Sequence, residues 1–165
     1  MTVEGKMGDC KQLLSFVVND AMYAVDILRV SEIRRWEGAA HVPNAPKAIR
    51  GVVNVRGVIV PVIELRCVLG CEEHEYGKTS VVFLVRAEVA GEERTVGMLA
   101  DGVSDVCDIP VDELRAPSIE ACSDGGEVVD SLTYIDGTSV VVLDIDEVVS
   151  RITGGGVLTQ EESAA

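Results

Sequence analysis

The chain has 165 residues, 47% of them hydrophobic but only 4% aromatic, and carries 28 Asp and Glu against 14 Lys and Arg, for a net charge of −14. That length makes one domain or two small lobes sharing a core, and an apolar fraction rich in valine rather than aromatics leans towards β structure. The acidity argues against nucleic acid or an anionic membrane as a partner met through a basic face.

The first residues, Met1 to Gln12, show no basic region followed by an apolar one, so no signal peptide is expected. No apolar run approaches the ~20 residues of a membrane span. Cys10, Cys67, Cys71, Cys107 and Cys122 are odd in number and contain no Cys-x-x-Cys pair, which points to neither a disulfide framework nor a zinc site. They read as small buried hydrophobes in a reducing compartment. A cytoplasmic, soluble protein is expected.

Taken in order, residues 1–11 read as a flexible end. Gln12 to Asn19 and Tyr23 to Ile27 are strand-like and form a hairpin across Asp20-Ala21-Met22. Leu28 to Trp36 continues extended, with a short helix as the competing reading. Gly38 to Pro46 is a proline-bearing loop, and His41 within it has no partner nearby that would make it a ligand or a base. Gly51 to Gly70 (GVVNVRGVIVPVIELRCVLG) is the most apolar continuous stretch. Its β-branched runs flank Arg56-Gly57, a dipeptide that supplies the permissive backbone of a tight hairpin. Gly51, Asn54, Gly57 and Pro61 read as its structural positions. Pro61 has no N–H for a ladder, which places its strand at an edge, bulge or bend rather than in mid-sheet. Spacing alone makes Arg56 a solvated turn residue.

Glu64 to Gly70 reads as a last strand and turn, and Glu72 to Lys78 as a charged loop in which His74 and its acidic neighbours do not converge on an ion. Thr79 to Val89, the turn Ala90 to Glu93 and Arg94 to Ala100 form a hairpin. Val103 to Ile109 is a further strand, and Pro110 to Arg115 a short helix. A polar loop over Ala116 to Gly126 precedes the hairpin Val128 to Ile135 and Ser139 to Ile145, joined by Asp136-Gly137. Asp146 to Thr153 is helical, and the tail 154–165 is expected to be disordered.

Two matches recur along the chain. Tyr23 to Ile33 aligns with Val96 to Val106 at an offset of 73 residues, and Gly57 to Leu69 aligns with Gly137 to Val149 at an offset of 80. The same order in both halves argues for a repeat. It predicts an all-β chain of two similar lobes, about 12–75 and 79–150, within one domain over 12–153. Short strands at regular spacing favour small closed barrels.

No phosphate-binding glycine loop, GxSxG or HExxH is present, and two histidines in separate loops give little material for general base work. Glu32 with Asp105, and Glu64 with Asp144, are repeat echoes rather than an acid/base dyad. No enzyme, no cofactor and no metal is expected. Two lobes with apolar seams suit a protein that holds others.

Gly51 to Gly70, with Asn54-x-Arg56-Gly57-x-Ile59-x-Pro61-Val62-x-Glu64-Leu65 inside it, resembles the signature of the CheW family of bacterial and archaeal chemotaxis adaptors. Tyr23 to Ile33, Val96 to Val106 and the proline loop His41 to Pro46 followed by Ile49-Arg50-Gly51 support the likeness, which covers about residues 12–150. It implies two five-stranded, SH3-like barrels packed on a shared hydrophobic core. It also implies a non-enzymatic adaptor, monomeric alone, that couples transmembrane chemoreceptor tips to the regulatory domain of the histidine kinase CheA in membrane receptor arrays. By position, Val30, Glu32, Ile33, Arg56 and Ile59 would lie on or near partner surfaces. From another class, the alternative is a β-barrel module whose groove holds a small molecule.

Overall fold

The computed structural model describes residues 9–71, 76–116 and 128–153. Ten strands and two helices follow in order: β1 Cys10–Val18, β2 Ala21–Asp26, β3 Val30–Arg35, β4 Ile49–Val55, β5 Val58–Glu64, α1 Leu65–Val68, β6 Val81–Val89, β7 Glu92–Ala100, β8 Gly102–Pro110, β9 Val129–Ile135, β10 Thr138–Leu143 and α2 Ile145–Thr153. Single 3-10 turns sit at Ile27–Arg29 and Val111–Glu113. Cys10 and Lys11, expected in a flexible end, are already strand residues opposite Pro110 and Ile109. The cysteines are not the buried residues expected: Cys10 is exposed, and Cys67, Cys71 and Cys107 are half-buried. The expected disorder of 1–8 and 154–165, and most of the loops at 72–78 and 116–126, fall outside the described residues.

Turn chemistry sets the hairpins. Asn19-Asp20, Arg56-Gly57, Ala90-Gly91 and Asp136-Gly137 all have both central residues at positive φ. These are type I′ turns, whose twist matches the strands they join. The Arg56-Gly57 turn is braced by the Gly57 N–H, which donates to Asn54 Oδ1 at 2.9 Å. Gly51 has a different reason: a Cβ there would lie 2.4 Å from the Ala40 carbonyl oxygen, so only glycine lets the 39–40 segment close onto β4.

The strands form two five-stranded sheets, ordered β8-β1-β2-β10-β9 and β3-β6-β7-β5-β4. Isolated bridges, Ala40 to Val52 and Arg115 to Leu132, draw the two edges of each sheet together, giving curled, SH3-like barrels. The repeat is real in register: β1–β5 and β6–β10 occupy equivalent places. The division into consecutive lobes at 12–75 and 79–150 does not follow the sheets, however. Each sheet takes two strands from one repeat and three from the other, because β3 pairs with β6 and β8 with β1. Hydrophobic alternation specifies that strands exist and which face is buried; it does not say which hairpin they pair with.

Pro61 is also placed differently from expectation. β5 lies inside its sheet, between β7 and β4. The strand tolerates the proline because Val52, its opposite residue, directs its own N–H and C=O away to Ala40, so Pro61 faces a position with no ladder bond. The parallel ladder to β7 starts only at Val62. Leu28 to Trp36 contains both competing readings, a 3-10 turn and then β3. Glu64 to Gly70 holds the short helix α1 instead of a strand, while Pro110 ends β8 and only 111–113 turn helically.

One hydrophobic cluster serves both sheets. Leu14, Phe16 and Val25 from the first meet Ile63, Phe83, Val85 and Met98 from the second, and α2 closes one end with Val148 and Val149. The Phe16 and Phe83 rings stand 4.8 Å apart across the two layers. α2 is started by Asp144, whose Oδ1 accepts the Glu147 N–H at 3.2 Å, and carries Asp146 and Glu147 in its first turn.

Two ion pairs lock the crossovers. Arg29, in the turn that leaves β2 for β3, binds both carboxylate oxygens of Asp146 on α2 at 2.9 Å each. Arg66 on α1, almost wholly buried, binds Asp101 between β7 and β8. Asp101 Oδ2 also accepts the Asn19 N–H at 2.6 Å. The Arg66 guanidinium lies 4.0 Å over the Tyr76 ring, and the Tyr76 hydroxyl donates to Glu64 at 2.5 Å. Burial, then the Glu64 carboxylate, drives the Tyr76 phenol far above its usual range, so it stays protonated and donating.

Candidate functional site

β3 and the tip of the β4–β5 hairpin meet on one side of the second sheet. The type I′ turn holds Arg56 at φ 51°, projecting from the tip, and its guanidinium reaches Glu32 Oε1 on β3 at 2.7 Å. Arg34 lies on the other carboxylate oxygen, its Nε 3.4 Å from Glu32 Oε2. The hydrogen bond from Arg56 holds the Glu32 carboxyl below its ordinary range, and Glu32 in turn raises Arg56. Both therefore stay charged across the physiological range. An exposed pair of this kind contributes little to stability; its effect is to orient two opposite charges at a surface.

Exposed aliphatic side chains stand on the same two elements. Ile33 on β3 is 45% exposed, Ile59 50% and Val58 59%. Scattered exposed aliphatics are ordinary; these three flank the ion pair in sequence, Ile33 on the face of β3 opposite to Glu32. Of the residues expected here, the structure brings Glu32 and Arg56 into contact and leaves Ile33 and Ile59 exposed beside them in sequence. Val30 differs: it is half-buried and packs against the central core. Val58 and Arg34 were not anticipated. The signal for Val58 lay in the two consecutive apolar residues directly after a two-residue turn, one of which must face outward as the strand alternates.

The repeat places a second surface on the other sheet. Val106, the equivalent of Ile33, is also 45% exposed, and Tyr134 on β9 and Val111 beside β8 are exposed as well. His41 is an exposed loop residue. Among the described residues no group of three or more His, Cys, Asp or Glu is disposed to hold a metal ion, and no helix is long and apolar enough to cross a membrane.

Comparison with known proteins gives the arrangement its setting. The chain is 31% identical over 140 residues to the chemotaxis protein CheW of Klebsiella aerogenes, covering 85% of this chain and 82% of that one. It is 26% identical over 151 residues to the chemotaxis protein CheW of Bacillus subtilis, covering 92% and 93%. Its fold matches that of the scaffolding protein TtCheW from Thermoanaerobacter tengcongensis with a TM-score of 0.76 at 24% identity, over 85% of this chain and 92% of that one. The CheW-like domain model matches residues 12–153. With the fold, the repeat and the hairpin signature all in place, the chain belongs to the CheW-like family, together with the chemotaxis proteins CheW that it matches.

Proposed function

We propose that this chain couples transmembrane chemoreceptor tips to the histidine kinase CheA, using the surface around Glu32 and Arg56 for one of the two partners. The observation that supports the reading is the ion pair of Glu32 and Arg56 on two elements that also expose Ile33, Val58 and Ile59. An apolar patch carrying a few fixed charges suits a helical tip or a second barrel, since the aliphatics supply affinity and the charges set orientation. The exposed Val106 and Tyr134 of the other sheet would offer another partner a place at the same time, as a coupling protein requires.

Arg56→Ala tests this. Ala90 already occupies the same position of an equivalent type I′ turn at φ 54°, so the substituted hairpin is expected to fold normally. Co-sedimentation of the variant with a receptor signalling fragment and with the kinase regulatory domain should show loss of at least one complex while circular dichroism is unchanged. Retention of both at wild-type affinity would remove Arg56 from the interface, and binding of neither by the unmodified chain would remove the coupling reading itself.

A further inference from the structure

The charge of the chain is unevenly spread. Residues 29–66 hold seven of its 14 Lys and Arg but only three of its 28 Asp and Glu. Within this basic island, β3 and β4 are the two edges of their sheet, and among the described residues the single backbone bridge between them is Ala40 to Val52. Beyond that bridge the seam opens into a groove of about 680 Å³, lined by Arg34, Arg35, Trp36, Val52, Val53 and Asn54. Such a volume lies within the range of small-ligand and peptide sites, ~300–1,000 Å³.

The backbone at the seam is open for pairing. Trp36 turns its N–H inward to Ser80, so by the period of two Arg35 turns its N–H and C=O outward. Val52 faces outward to Ala40, and Asn54, two residues on, faces the same way. Arg35 is exposed and, among the described residues, has no carboxylate partner. Glu37 also lines the groove, and Arg34 is already held on Glu32, which leaves Arg35 as the guanidinium open to a ligand carboxylate.

We propose that this seam takes an extended acidic peptide segment of a partner protein as an added strand between β3 and β4. Its backbone would bond the free edge at Arg35 and Asn54, its carboxylates would face Arg35, and alternate apolar side chains would lie on Trp36 and Val53. Main-chain pairing supplies affinity in this mode and the side chains supply selectivity. The site adjoins the Glu32–Arg56 pair through Arg34 and Asn54 but does not include Ile33, Val58 or Ile59, and it does not depend on the coupling reading.

Trp36 is the chain's single tryptophan and lies in the groove, so its emission reports occupancy directly. The full-length protein would be titrated with the capped peptide Glu-Val-Glu-Val-Glu-Val, with the same peptide bearing Lys for Glu, with a version carrying Pro at its two inner valines, and with free glutamate. The expected result is a saturable change with the acidic peptide alone, weaker at high salt and weaker by about tenfold in Arg35→Glu, a variant whose circular dichroism should match the parent because the side chain is solvated. An absent response, an Arg35→Glu variant that binds equally well, or binding of the lysine peptide would overturn the proposal. So would equal binding of the proline peptide or of free glutamate, since either would reduce the groove to a simple anion site.

Discussion

Phe83→Ala tests how far the two sheets are one folding unit. The Phe83 ring is completely buried in β6 and stands 4.8 Å from Phe16 in the other sheet. Removing it loses the transfer energy of the ring and leaves a cavity between layers, together ~3–5 kcal/mol, with the aromatic pair included. At roughly 2–4 °C of Tm per kcal/mol for a chain of this size, melting should fall by about 6–20 °C. Urea unfolding would be followed by Trp36 fluorescence, which reports the sheet containing Phe83, and by hydrogen exchange of the β9 and β10 amides, which report the other. Because each sheet contains strands of both repeats, both probes should shift together and the slope with denaturant should be unchanged. Loss of the Trp36 signal while β9 and β10 remain protected would refute the shared-core reasoning.

Val60 is 2% exposed, in a cluster with Val55 and Leu84. Val60→Asp would bury a charge without a partner and should unfold the second sheet, a loss above ~3 kcal/mol; a variant with parental melting would mean that β5 turns its other face inward. Asp146 is held below its ordinary value of about 3.9, first by the hydrogen bond from Arg29 and then by the Glu88 N–H, against some desolvation. A lowered folded-state pKa contributes stability that is present above the unfolded value and lost as pH falls through the folded one. Asp146→Asn should therefore cost about 1 kcal/mol at neutral pH, the pair being about one-third exposed, and should flatten the stability profile below pH ~4. Urea midpoints from pH 7 down to acid measure it, and an unaltered acid limb would deny the pair that role. Gly97→Val would force a side chain where even a Cβ meets Val82 Cγ2 at 2.8 Å, and overpacking there should cost ~1–3 kcal/mol, read as a lower urea midpoint; no change would show that β6 and β7 yield freely.

How much of this was legible in the residues depends on what each signal encodes. Arg56-Gly57 and Asp136-Gly137 announce their turns, because positive φ restricts the residue types that fit, and the repeat follows from two ordered matches. Strand partnership was not legible: β3 pairs with β6 across 50 residues of chain through backbone atoms, which carry no side-chain code. Pro61 misled for a related reason, since its tolerance depends on the ladder parity of Val52 and not on its own identity. At the candidate site, Arg56 and Glu32 were each noticed, but only the curl of the sheet brings them to 2.7 Å. The Arg66–Asp101–Tyr76 network, spread over three segments, left no local pattern to find.

The two crossover ion pairs decide which halves of the chain can pack together. Arg66 and Asp146 are equivalent across the repeat, on α1 and α2, while Arg29 and Asp101 stand at equivalent junctions. The first repeat thus carries both cations and the second both anions. Two copies of the first half would set Arg29 against Arg66, and two copies of the second would set Asp101 against Asp146. The halves are opposites in charge at these contacts, so neither can take its own duplicate in place of its sibling.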